Sequence, residues 1–219
     1  MNLEEYKKRA AKKEDWSPGW DAIDVVFDQL YPNQEPAHFG TNLHSKAMFG
    51  GDEYIDGYSI YQSPNGYKHI VTYGMTELYV DEQAVGGEWS GWGYEMTIKL
   101  SEEETEDCLW AVSMLSNLAR YTNTQKRPFE PLQYVAGNGG SLHIGVESSI
   151  TALLIVEDTE ILGIDSIHGR VDFIQLVGIT QRELDMLIKN PTNAEILVEK
   201  MKKENPNLVT DMNRNKSYI

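Results

Sequence analysis

With 219 residues, 41% of them hydrophobic, the chain is sized for one domain that buries a sizeable core, and a charged fraction of 24% is too ordinary for general disorder. Nineteen Lys and Arg stand against 34 Asp and Glu, and the resulting net charge of −15 disfavours nucleic acid and anionic membrane as partners while favouring basic proteins. No apolar run approaches a membrane span: the longest, Ile150 to Val156 interrupted by Thr151, reads as a buried strand. The basic residues of the first fifteen positions lead into no apolar stretch, so no secretory signal is expected. The single cysteine, Cys108, excludes an intrachain disulfide and makes the cytoplasm the default location.

Residues 1–15 read as a charged helical arm, and residues 16–219 as one domain. Ser17-Pro18-Gly19 opens a helix, with Ser17 as its expected cap and Pro18 in the first turn. Trp20, Ile23, Val26, Phe27 and Leu30 form its apolar face, and Tyr31-Pro32-Asn33 ends it. Strands are expected at Ala37–Phe49, broken by Gly40, and at Tyr58–Gln62. The turn Ser63-Pro64-Asn65-Gly66 leads into a returning strand, Tyr67–Tyr73, which makes a hairpin. An irregular segment, Glu77–Val85, precedes a loop holding Gly86, Gly87, Gly91 and Gly93, after which Tyr94–Leu100 alternates as a strand.

Ser101 with Glu104 reads as a capping box for a helix running to about Tyr121, with Leu109, Val112, Leu115, Leu118 and Ala119 as its stripe. Residues 122–141 look like a loop. Ser149–Val156, Ile161–Ser166 and Val171–Ile179 read as buried strands. Thr180 with Glu183 boxes the next helix, Thr192 starts another carrying Ile196, Leu197 and Met201, and Asn207–Met212 looks like a last short strand.

A search for chemistry finds no signature. The five histidines have no metal-ligand spacing, and there is no nucleophile elbow or P-loop. Gly91-Trp92-Gly93 lacks the third glycine of a dinucleotide fingerprint and precedes a strand rather than a helix. Cys108, near the apolar stripe of a helix, reads as an inert buried thiol. Glu102–Glu104 suits helix N-terminal charge and Glu157-Asp158 a turn, so the acidic pairs do not identify a hydrolase. The expectation is a non-enzyme without cofactor or metal.

Seven segments resemble the Suppressor of fused (Sufu) family in order. They are Pro18–Ile23 through Leu30-Tyr31-Pro32, Asp56–Tyr61, His69–Tyr79, Ser90–Thr97, Leu118–Tyr121, Phe173–Thr180 with Glu183-Leu184, and Val209–Arg214. Together they cover roughly residues 16–216. No one motif is specific, but seven in sequence are. The resemblance is to the single-domain bacterial type. It implies an α+β fold with a central, mostly antiparallel or mixed sheet flanked by helices, and a protein-binding role. The animal protein takes a transcription-factor segment as an added strand between two domains. Bacterial relatives look like immunity proteins that bind and block a toxin, and an acidic inhibitor would suit a basic toxin domain.

The Leu78-Tyr79 motif aligns best with the family's contact region, which makes Tyr79 the candidate anchor and Asp81, Glu82 and Glu88 candidate charge partners. Trp89 and Trp92 sit among the glycines. Trp89 is counted with the binding residues, and Trp92 is expected in the core. Glu95 should face away from Tyr94 and Met96, and if buried it needs a partner, for which charge alone suggests Arg120 or Arg170. An immunity protein, a peptide-binding regulatory scaffold and a hydrolase with scattered carboxylates are the readings, in that order. The partner's identity and the oligomeric state are not legible.

Overall fold

The computed structural model describes residues 1–40 and 54–219. Among the described residues there are five helices: α1 (Leu3–Lys12), α2 (Pro18–Leu30), α3 (Leu109–Gln125), α4 (Gln181–Lys189) and α5 (Asn193–Lys202). The strands are β1 (Ala37–Gly40), β2 (Gly57–Gln62), β3 (Lys68–Tyr73), β4 (Trp89–Leu100), β5 (Tyr134–Ala136), β6 (Ile150–Glu157), β7 (Ile164–Ser166) and β8 (Gly169–Thr180). Of the strand expected over 37–49, β1 supplies the first four residues and the remainder from 41 onward lies outside the described residues. Among the described residues no helix is long and apolar enough to cross a membrane.

All eight strands join one mixed sheet in the order β1-β2-β3-β4-β8-β6-β5, with β7 paired to β8. Neighbours are antiparallel except at the centre, where β4 and β8 run parallel. The β2–β3 hairpin turns where expected, with Ser63 N–H donating to the Tyr67 carbonyl at 2.8 Å and Gly66 at φ 84°. The chain's last segment forms one bridge, Leu100 to Thr210, rather than the expected strand. It ties β4 to β8, because Thr210 Oγ1 accepts from Gly178 N–H and Gln175 Nε2 donates to the Asn207 and Leu208 carbonyls.

Period-two alternation along the strands sorts the two sheet faces. Tyr94, Met96, Ile98, Ile174, Leu176, Leu153 and Ile155 meet α3 in one apolar cluster. On the opposite face, Val71, Tyr73, Val171 and Phe173 pack under α2, and Ala152, Leu154, Val177 and Ile179 pack under α4 and α5. Fully burying a side chain such as Ile70, Met96 or Ile98 contributes about 1.5–3 kcal/mol. Between the two clusters of this second face, residues 95, 97, 99 and 175 carry Glu, Thr, Lys and Gln, all fully buried.

Three expectations about local signals are corrected. Ser17 makes no side-chain cap, although Pro18 does occupy the first turn of α2. Ser101 forms no capping box: the helical turns begin only at Glu106–Cys108 and Leu109, and the Ser101 N–H that Glu104 would have accepted donates to the Thr210 carbonyl. That helix reaches Gln125, and it buries Ala111, Leu115, Leu118, Ala119 and Thr122, while Leu109 is 40% exposed. By contrast, Thr180 and Glu183 form the expected reciprocal box.

Candidate partner-binding site

The buried polar groups are the first place to look for chemistry. Asp158 lies at the centre of one cluster. It is held by Lys99 Nζ at 3.0 Å, His69 Nε2 at 3.1 Å, Thr97 Oγ1 at 2.6 Å and the N–H groups of Glu160 and Ile161. Glu160 takes a second contact from Lys99 at 2.9 Å and accepts from Tyr67 Oη at 2.5 Å, and Tyr31 Oη meets His69 Nδ1 at 2.8 Å. Burial pushes the Asp158 carboxyl up, but the His69 hydrogen bond and the His69 and Lys99 charges outweigh it and hold the group far below the usual range. Lys99, His69 and Asp158 have no exposed side-chain surface, and every member has partners, so the cluster clamps β3, β4 and the turn after β6 rather than meeting a substrate.

Glu95 is a different solution. It is fully buried and accepts five hydrogen bonds, from Thr72 Oγ1, Thr76 Oγ1 and the N–H groups of Gly74, Met75 and Thr76. Neither Arg120 nor Arg170 reaches it: Arg120 bonds Asn117 and Arg170 bonds Asp172. The turn after β3 brings three N–H groups to one point, which charge matching along the sequence does not show. With no cation present, burial pushes Glu95 up to about 7 against the pull of its hydrogen bonds. Cys108 is buried and its thiol is pushed up to about 12 by burial first and by Glu102 second. Among the described residues no His, Cys, Asp and Glu group could hold a metal ion.

The accessible feature lies at the start of β4. There the register with β8 shifts: Trp89 pairs with Arg170 and Tyr94 with Asp172, so four residues of β4 bulge against one of β8. The residues expected as a loop are thus the irregular start of a strand. Gly91 has φ 54° and a Cβ there would meet the Met75 carbonyl at 2.7 Å; Gly93 has φ 84° and carries the Trp89 ring, 3.0 Å from where its Cβ would be. The bulge leaves Trp89 51% exposed. Trp92 is half-buried against the α3 cluster, as its core reading expects, with Nε1 donating to Asn123 Oδ1 at 3.0 Å.

These tryptophans open onto a cleft of 420 Å³. Tyr94, Phe129, Pro128 and Pro131 add to its apolar wall, and Glu130, Glu157 and Asp172 supply its carboxylates. The wall is fixed, because Tyr94 Oη accepts from Phe129 N–H at 3.3 Å and contacts Thr122 Oγ1 at 3.2 Å. Asp172 is shared with Arg170 at 2.8 Å, whereas Glu157 has no ion pair among the described residues.

Of the five residues expected to contact a partner, Trp89 lines this cleft and the other four do not. Tyr79 is 41% exposed, and its hydroxyl is pushed up to about 12 by burial, then by the charge and hydrogen bond of Asp56. Asp81 N–H donates to Tyr6 Oη at 2.9 Å, so the segment after Tyr79 is anchored on the fully buried Tyr6 of α1. Glu82 pairs with Lys7 at 2.9 Å, and the exposed Glu88 lies beside Trp89, its carbonyl accepting from Arg170 N–H. Phe129, Glu157 and Asp172 were not legible as site residues, because three separate long-range contacts bring them in: β4 with β8 for Asp172, β6 with β8 for Glu157, and the Phe129 N–H bond to Tyr94 Oη.

Comparison with known proteins gives a consistent answer. The family model described as Suppressor of fused protein (SUFU) matches residues 51–215. The human Suppressor of fused homolog is 28% identical over 221 residues, covering 92% of this chain and 44% of its own, so the chain spans less than half of that relative's length. The crystal structure of the Sufu-Fu complex contains a chain with TM-score 0.79 and 26% identity, covering 92% of this chain and 93% of that one. A putative SUFU homolog from Neisseria gonorrhoeae FA 1090 shares the fold, with TM-score 0.63 at 20% identity over 92% of this chain and 97% of its own.

Proposed function

This chain belongs to the Suppressor of fused family, and from that premise we propose that it is a non-enzymatic protein-binding module whose partner seats on the Trp89 side of the sheet. The observation that carries this reading is an exposed tryptophan, held on a glycine bulge, at the mouth of a cleft edged by carboxylates. Aromatic anchors with charged surroundings are the usual energetic centre of a protein interface. Tyr79, Asp81, Glu82 and Glu88 extend the surface: the Glu82–Lys7 pair is exposed and screened by solvent, and therefore easily exchanged for a partner's cation.

In its finer form the proposal is an immunity role, in which the chain binds and neutralises a basic toxin domain in the cytoplasm. The net charge of −15 supports it by speeding encounter with such a domain. The test is co-expression with the product of the adjacent gene: growth restored by this chain, through a stable complex, is expected, and failure to rescue a toxic neighbour sinks the immunity role.

A regulatory scaffold that takes a peptide as an added strand has one observation behind it. The three-residue β5 ends the sheet, and apolar grooves of 410 and 360 Å³ lie beside it, sharing Asn117, Leu118 and Val135. Proline substitution at Val135 that abolishes partner binding while Trp89→Ala leaves it intact selects this second reading.

A further inference from the structure

We infer that the cleft between Trp89, Trp92 and Phe129 receives an arginine side chain of the protein partner, an inference that rests on the protein-binding reading above. The cleft combines two features that each select a planar cation. Aromatic faces attract cations through the ring quadrupole, and guanidinium stacks on them better than a compact ammonium does. Carboxylates at the rim complete the recognition, because a guanidinium can bond a carboxylate through two parallel N–H groups.

The residues lining the cleft fit that ligand. Lys126 Nζ lies 5.6 Å from the Trp92 ring centre, so this ring already takes a cation on its face. Arg170 is committed to Asp172 at 2.8 Å and to Asp165 at 3.7 Å. Among the described residues, Glu157, at the exposed end of β6 and opposite Ile174 of the cleft wall, has no ion pair, and the side chain of Glu130 has only the neutral Gln133 amide at 3.3 Å. Of the three cleft carboxylates, Asp172 alone is in an ion pair among the described residues, with Arg170. A cleft of 420 Å³ also has room for a guanidinium and part of its stem. The geometry is built into the strand, since the bulge and the left-handed Gly91 and Gly93 place Trp89 there.

The test needs no knowledge of the partner. A five-residue peptide with one central arginine is titrated into the whole chain, and the indole N–H signals of Trp89 and Trp92 are followed by NMR, beside the same peptide with lysine or neutral citrulline in place of arginine. Saturable shifts are expected for arginine, with at least tenfold weaker binding for citrulline. Trp89→Ala and Glu157→Gln should each weaken the arginine peptide at least threefold with an unchanged unfolding midpoint, and Lys126→Ala should not weaken it. Equal response to citrulline, no saturable shift, or unchanged affinity in both cleft variants overturns the inference. The two proposals fail separately. A protein partner bound equally by wild type, Trp89→Ala and Glu157→Gln removes the cleft and keeps the binding role; a chain that binds the arginine peptide but no protein removes the binding role.

Discussion

Two regions of this molecule are built from carboxylates and use them in opposite ways. Inside, on the sheet face shared by α2, α4 and α5, Asp158, Glu160 and Glu95 have their oxygens engaged by Lys99, His69, hydroxyls and backbone N–H groups. At the aromatic cleft, Glu157 has no ion pair among the described residues and Asp172 pairs with Arg170. Asp158 and Glu157 are sequence neighbours, yet one faces the buried seam and the other the cleft. Acidic composition alone does not separate these roles; strand alternation at the end of β6 does.

The interior depends most on its cation. Lys99→Ala leaves Asp158 and Glu160 without their ammonium in a dry site, and should cost about 3–5 kcal/mol in urea unfolding. Arg214→Ala is expected to cost less, about 2–3 kcal/mol, because Glu183 keeps the N–H groups of Thr180 and Tyr218 when it loses the guanidinium.

The two interior solutions also predict opposite pH slopes. Glu95 is raised from 4.5 to about 7 on folding, so its contribution is present below pH 4.5 and is lost as pH rises toward 7. Asp158 is lowered from 3.8, so its contribution is present above that value and is lost as pH falls below it. Stability measured by urea titration across pH should therefore lose its decline between 4.5 and 7 in Glu95→Gln, and lose part of its acid-side decline in Asp158→Asn. The smallest expected effect lies outside: Trp89→Ala and Glu157→Gln should each change stability by less than about 0.5 kcal/mol.

Much of the fold was legible where a local rule acts alone. The hairpin at Ser63–Gly66, the Thr180–Glu183 box and the strands β6 and β8 follow from turn chemistry, capping and alternation. The rules failed where distant segments compete for the same groups. Ser101 looked like a cap but its N–H belongs to Thr210, and Glu95 looked in need of an arginine but three backbone N–H groups converge on it. The candidate site shows the same limit. Trp89 stands out in the sequence by its place among glycines, whereas Glu157 is brought beside it through the sheet order β4-β8-β6 and Phe129 through its N–H bond to Tyr94 Oη.

Trp89 and the cleft carboxylates Glu130, Glu157 and Asp172 would together form the face that meets a protein. The direct measurement is calorimetric titration of the whole chain with the product of the adjacent gene, for wild type, Trp89→Ala and Glu157→Gln. The account predicts a saturable complex that each variant weakens at least threefold without a change in unfolding midpoint. No complex, or a complex of equal affinity for all three chains, contradicts it.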